Sequence, residues 1–163
     1  MSTEVFVALG SNMGDRMGYL EAAVQGLRAV ACALEVSPVY ETAPLGGPPG
    51  QERFLNCVVR LETDLEPRQL LEVARGLEAR AGRVRTVSNG PRTLDVDILL
   101  VDDLQISEPD LVVPHPRMEE RGFVLAPLED LAPSRVPGNW RTRLAETDPE
   151  SLDLRLVGRL EGH

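Results

Sequence analysis

The order in which hydrophobic periodicities follow one another constrains this chain more than any other feature. Residues 5–9 are continuously apolar and too short for a helix, which predicts a buried strand. "GSNMGD" then turns the chain. Asp15 is placed to cap a helix, and Leu20, Val24, Leu27 and Ala31 recur at helical spacing. A second strand is predicted over residues 34–42, carrying Val36, Val39 and Tyr40, with Pro38 marking an edge or a bulge. "PLGGPPG", in which six of seven residues are Gly or Pro, is a loop. Period-two alternation returns over residues 54–62. Leu55, Cys57, Val59 and Leu61 face one way, and Phe54, Asn56, Val58 and Arg60 the other. Pro67 suits the first turn of a second helix, whose apolar face is Leu70, Ala74, Leu77 and Ala81 and whose natural stop is Gly82. A fourth strand is predicted over residues 94–101.

The resulting β-α-β-β-α-β order is the split β-α-β arrangement of an α+β, ferredoxin-like domain, with two helices on one face of an antiparallel sheet. The C-terminal extension, residues 103–163, is expected to cover part of the other face or its edges. It reads as a short strand at 104–107, a helical turn at 117–121 and a helix at 125–131, while "LDLRLVGRL" fits strand or helix. No internal repeat appears, and 163 residues fit one domain spanning residues 1–163.

Composition narrows the function. A net charge of −9 argues against general nucleic-acid binding, which needs a basic surface. No apolar run is long enough to span a membrane, and the N-terminus lacks the pattern of a signal peptide. Cys32 and Cys57 make neither a disulfide framework nor a zinc-ligand set. The expectation is a soluble, reduced, cytoplasmic monomer. All 17 basic residues are arginine, which excludes lysine Schiff-base chemistry and the lysine-dependent P-loop. "GSNMGD" also lacks the spacing of a phosphate-binding fingerprint and reads as a strand-to-helix turn.

Within "NGPRTLDVDILL", Asp95 and Asp97 sit two residues apart on a strand and therefore share a face, roughly 6.5–7 Å apart. Leu94, Val96, Ile98 and Leu100 are expected on the opposite, core face. Aspartate is a poor strand former and neighbouring carboxylates repel. Such a pair is therefore either a solvated strand face or a holder of hard cations bridged to phosphates. Five arginines (75, 80, 83, 85 and 92) against the single acid Glu78 in the preceding stretch favour a polyphosphate guest. Arg80 reads as the wet face of a helix. Phe54 and Asn56 share a strand face beside the Gly/Pro loop, either an ordinary sheet pair or a clamp for a flat heterocycle. His115, between prolines in "VPHPR", is a structural turn residue or a phosphate contact.

Taken together, "VALGSNMGDR", "SPVYETAPLG", "FLNCVVRLET", "GRVR", "GPRTLDVDILL" and "VPHPRMEERGFVLAPLEDLAP" resemble the 6-hydroxymethyl-7,8-dihydropterin pyrophosphokinase family of folate biosynthesis over residues 5–133. The resemblance implies a ferredoxin-like fold and a diphosphokinase activity. Pyrophosphate would pass from ATP to the hydroxymethyl group of the dihydropterin, giving AMP and the dihydropterin methyl diphosphate. It implies two Mg2+ ions on Asp95 and Asp97, with Arg83, Arg92, Asp95 and Asp97 as catalytic residues. The implied pterin pocket is Thr42, Leu45, Phe54, Asn56 and Phe123, the two rings sandwiching the pterin. The implied ATP contacts are Glu78, Arg83, Arg85, Arg92, Ile98, His115 and Arg121. Residues 44–50 and 83–91 have the composition of lids. The chain departs from the family pattern at Ala43, Asn89 and Pro116, where proline, tryptophan and an aromatic residue, respectively, are common. The alternative is a non-catalytic ferredoxin-like module that binds a nucleotide or pterin.

Overall fold

The computed structural model describes residues 2–43, 50–82 and 93–163. Strand β1 (Thr3–Ser11) is followed by α1 (Arg16–Arg28), β2 (Ala33–Val36), β3 (Val39–Thr42), β4 (Phe54–Thr63), α2 (Pro67–Arg80) and β5 (Asp95–Val101). These elements make the expected α+β core. Antiparallel pairing sets the strand order β5-β1-β4-β3, with β2 also on β4, so each predicted β-α-β is split by a strand running the other way.

Local chemistry accounts for the boundaries. The Asp15 side chain accepts the Gly18 amide and caps α1. Pro67 and a reciprocal Glu66–Gln69 capping box start α2. The single strand expected over 34–42 is two strands, because Pro38 has no amide hydrogen to give the ladder. Ser37 bridges the break: its amide donates to the Val58 carbonyl at 2.9 Å, and its hydroxyl accepts the Val58 amide at 2.9 Å. Ala31 falls in the turn beyond α1 rather than on its stripe.

The alternation in β4 divides two cores. Leu55, Cys57, Val59 and Leu61 pack with β1, α1 and α2 on one face, while Val58 joins Phe6 on the other. Leu94, Val96 and Ile98 join the helix-side core as expected, but Leu100 does not. The β1–β5 register jumps from Val7↔Ile98 to Phe6↔Leu100, and this bulge turns Leu99 and Leu100 into the second core.

The C-terminal extension covers that second face. A hairpin of β6 (Ile106–Glu108) and β7 (Leu111–Val113) leads through a cis Val113–Pro114 bond to a 3-10 turn (Met118–Glu120) and α3 (Gly122–Leu131). Val124 and Leu128 of α3 close the core around Phe6, Val58, Leu99 and Leu100. Helix α4 (Trp140–Thr147) buries Trp140 against Leu125 and Ala126, a helix that no strong periodicity announces. "LDLRLVGRL" resolves as strand: β8 (Leu154–Gly158) pairs antiparallel with β3 and extends the sheet at that edge. No helix among the described residues is long and apolar enough to cross a membrane.

Candidate active site

Where α3 leaves the sheet uncovered, the ends of β3, β4 and β5 share a cavity of about 270 Å³ with the segments around α3. Register brings its strand residues together across β1. Gly10 pairs with Asn56 on one side and with Asp95 on the other, so three neighbouring strands present these positions to one face. A Cβ at Gly10 would lie 3.0 Å from Asn56 Oδ1 and 3.6 Å from the Phe54 ring. Glycine therefore lets those side chains lie close over β1. Local sequence pattern marks Gly10 only as part of a turn. The signal for its role is the run Phe6, Ala8, Gly10, which shrinks along one face of the strand.

One wall is apolar and amide-bearing. Thr42 ends β3 and Phe54 begins β4, and Asn56 donates from Nδ2 to Thr42 Oγ1 at 2.9 Å while both side chains are buried. That bond fixes which way the carboxamide points. Phe123, in the first turn of α3, completes this wall, and the Arg121 guanidinium lies 5.6 Å from its ring centre. Below it, Glu41 pairs with Arg16 at 3.2 Å, and Arg16 also donates to the Arg53 carbonyl at 2.8 Å. These contacts tie the end of β3 to the start of β4.

The other wall is charged. Asp95 and Asp97 share the cavity face of β5, as the alternation requires. His115 Nε2 lies 4.0 Å from Asp97 Oδ1. The residue is held from behind: its backbone amide donates to the Leu99 carbonyl at 2.9 Å, and the ring Nδ1 accepts the Arg117 amide at 3.2 Å. Burial first, then the neighbouring Arg121 cation, push the imidazole below its ordinary pKa, with Asp95 opposing. With Nδ1 accepting, the neutral ring carries its proton on Nε2, facing the aspartates. Arg117 and Arg121 supply positive charge at the same mouth.

The structure thus brings Thr42, Phe54, Asn56, Asp95, Asp97, His115, Arg121 and Phe123 to one cavity, and adds Ala43 and Arg117, which the sequence alone does not assign. Two expected ATP contacts stand apart from its lining. The Ile98 side chain packs in the helix-side core, the face opposite Asp97. Glu78, buried on α2, accepts the Val96 amide at 3.0 Å and so grips the strand that carries the aspartates. Leu45, Arg83, Arg85 and Arg92, with Asn89, lie outside the described residues.

Two strand carboxylates, two arginines and an aromatic-amide wall line one cavity, a class of site that can hold an anionic, phosphate-like group beside a flat polar ring. Comparison with known proteins gives that class its family. The model for 7,8-dihydro-6-hydroxymethylpterin-pyrophosphokinase matches residues 6–133. The 2-amino-4-hydroxy-6-hydroxymethyldihydropteridine pyrophosphokinase of Bacillus subtilis is 45% identical over 154 residues, covering 93% of this chain and 90% of that protein. Its Pseudomonas aeruginosa namesake is 44% identical over 140 residues, covering 84% and 86%. The chain belongs to the 7,8-dihydro-6-hydroxymethylpterin-pyrophosphokinase family. Among solved structures, wild-type Plasmodium falciparum HPPK-DHPS with STZ-DHP superposes with a TM-score of 0.70 at 14% identity, a likeness of fold alone. The match covers 97% of this chain and 48% of that one, so the chain spans about half the length of that protein.

Proposed function

We propose that this cavity catalyses magnesium-dependent transfer of pyrophosphate from ATP to the hydroxymethyl oxygen of 6-hydroxymethyl-7,8-dihydropterin, releasing AMP, and that residues 1–163 act as one monomeric domain. Family membership supports the reaction. The observation that carries its assignment to this cavity is the register at Gly10, which sets Asn56 on one side of β1 and Asp95 on the other, both lining the cavity. A ring read by Asn56 and a phosphate chain held at Asp95 would then meet above Gly10, which is what transfer between two substrates needs. Phe54 and Phe123 offer faces for the pterin, and the fixed Asn56 carboxamide offers an acceptor edge.

Among the described residues no group of three or more His, Cys, Asp or Glu side chains could hold a metal. The pair Asp95 and Asp97 instead suits magnesium, which takes one or two carboxylates and completes its shell with water and substrate phosphates. Bound there, two such ions would neutralise triphosphate charge and fix its geometry. Around them His115 can donate from Nε2 to a phosphate oxygen, and Arg117 and Arg121 counter the remaining negative charge. Arg83, Arg85 and Arg92 are assigned to the same substrate by resemblance, with Arg83 and Arg92 stabilising charge as the diphosphoryl group moves. Glu78 acts by holding β5 in place.

Incubation with ATP and the dihydropterin, with and without magnesium, tests the reading. AMP should accumulate only when the metal and both substrates are present. ADP as the product, free pyrophosphate, or intact substrates would each refute it, the last favouring a binding module. AMP formation undiminished by a chelator would refute the metal assignment alone.

A further inference from the structure

The family model ends at residue 133, yet the segment over residues 151–155 touches both sides of the ring-binding wall. Ser151, in a 3-10 turn (Pro149–Leu152), is buried, and its hydroxyl accepts the Gly122 amide at 2.8 Å. Gly122 is the first residue of α3, Arg121 at its N-cap has no side-chain capping bond, and the first amides of a helix have no partner within it. Ser151 therefore caps α3 from nearly thirty residues downstream. The approach is close enough to dictate the residue type: a Cβ at Gly122 would run into the Ser151 carbonyl oxygen. Gly122 separates Arg121 from Phe123, so the cap lies between two residues of the cavity. Three residues beyond Ser151, Leu154 pairs with Thr42 across β8 and β3, on the opposite side of that wall.

We infer that Ser151 is a positioning residue for the reaction: by capping Gly122 it sets where Arg121 and Phe123 stand relative to Thr42 and Asn56. The C-terminal turn is thereby part of the substrate-binding apparatus rather than a cover over the sheet. This inference rests on the reading of Phe123 and Thr42 as pterin-facing and deepens it. Removing the hydroxyl leaves a buried amide unsatisfied and frees the 121–123 backbone to shift, which weakens ground-state binding more than the chemical step.

The test is Ser151→Ala in the full chain, comparing dihydropterin Kd by fluorescence, KM and kcat at a temperature well below Tm. Pterin Kd and KM should each rise about tenfold while kcat changes less than about threefold. Thr147→Ala, which removes the Thr147–Arg143 bond in α4, is the control that alters the extension without touching the cap and should leave Kd unchanged. A merely structural Ser151 would lower Tm and leave Kd and KM at wild-type values, which would overturn the inference. Should Ser151→Ala not fold, Ser151→Cys, a weak acceptor of similar size, carries the same expectation. Amide exchange on the unaltered protein probes the cap independently: Gly122 should be protected, and fast exchange there overturns the cap. Absence of dihydropterin binding by the wild type would instead sink the substrate reading, and this inference with it.

Discussion

Gly10→Ala should separate stability from function beneath the cavity-lining Asn56 and Phe54. The added methyl would sit 3.0 Å from Asn56 Oδ1, 3.6 Å from Phe54 Cδ1 and 3.8 Å from the Leu55 carbonyl oxygen. Only the first contact is tight, and it is with the end of a side chain. Replacing a strand glycine by alanine is favourable by roughly 0.5–1 kcal/mol, while mild overpacking costs about 1 kcal/mol. The two nearly cancel, so Tm should stay within about 4 °C of wild type. The carboxamide cannot simply swing away, because Nδ2 is held by Thr42 at 2.9 Å. Its oxygen must move off its position, forfeiting one ring hydrogen bond worth about 1–3 kcal/mol, or roughly five- to 150-fold in dihydropterin Kd. Fluorescence titration with the dihydropterin and a thermal melt measure both numbers. An unchanged Kd at normal Tm would refute this role of Gly10, and a Tm drop beyond about 10 °C would make it a folding residue instead.

Asp97→Ala should lower turnover at least a hundredfold, about 2.8 kcal/mol, while dihydropterin binding without ATP survives; substantial turnover by that variant would show that the carboxylate does not hold the metal. Glu78→Ala should cost roughly 2–3 kcal/mol, seen in denaturant unfolding, because a buried Val96 amide loses its carboxylate acceptor at 3.0 Å. Gly122→Ala should destabilise by about 1–3 kcal/mol, since its methyl meets the backbone at Ser151 rather than a movable side chain. Tyr40 donates to Asp130 at 2.5 Å, and burial, then that bond, raise its phenol to about 12. A folded pKa above the ordinary 10 means that Tyr40 contributes stability fully below pH 10, and that this is lost as pH rises through about 12. Absorbance titration should find that phenol still protonated at pH 11, and Tyr40→Phe should flatten the alkaline fall in stability.

The core was legible because its elements are amphipathic in the simplest way. Alternation in β4 sorted Asn56 from Cys57, and helical spacing placed Leu70, Ala74 and Leu77 in the core. The same alternation put Asp95 and Asp97 on one face. It failed at Leu100 because periodicity presumes an unbroken ladder, and the bulge in β5 changes phase without any Gly or Pro to mark it. The extension was harder for a related reason. Helix α4 is short, buries chiefly Trp140 and Leu144, and takes its stability from packing on α3 rather than from a periodic stripe. Gly10 and Ser151 escaped because their importance lies in what approaches them from distant sequence. The resemblance supplied Arg121 and Phe123 as site residues and chose the phosphate reading of His115, none of which a local pattern would have joined to Thr42.

The central claim is that one cavity brings a dihydropterin and ATP together for transfer of a diphosphoryl unit. ATP labelled separately at its α, β and γ phosphorus tests it most directly. With dihydropterin and magnesium, the β and γ labels should move together onto the pterin, and the α label should remain in AMP. Transfer of the γ label alone, or of the α label to the pterin, would contradict the claim.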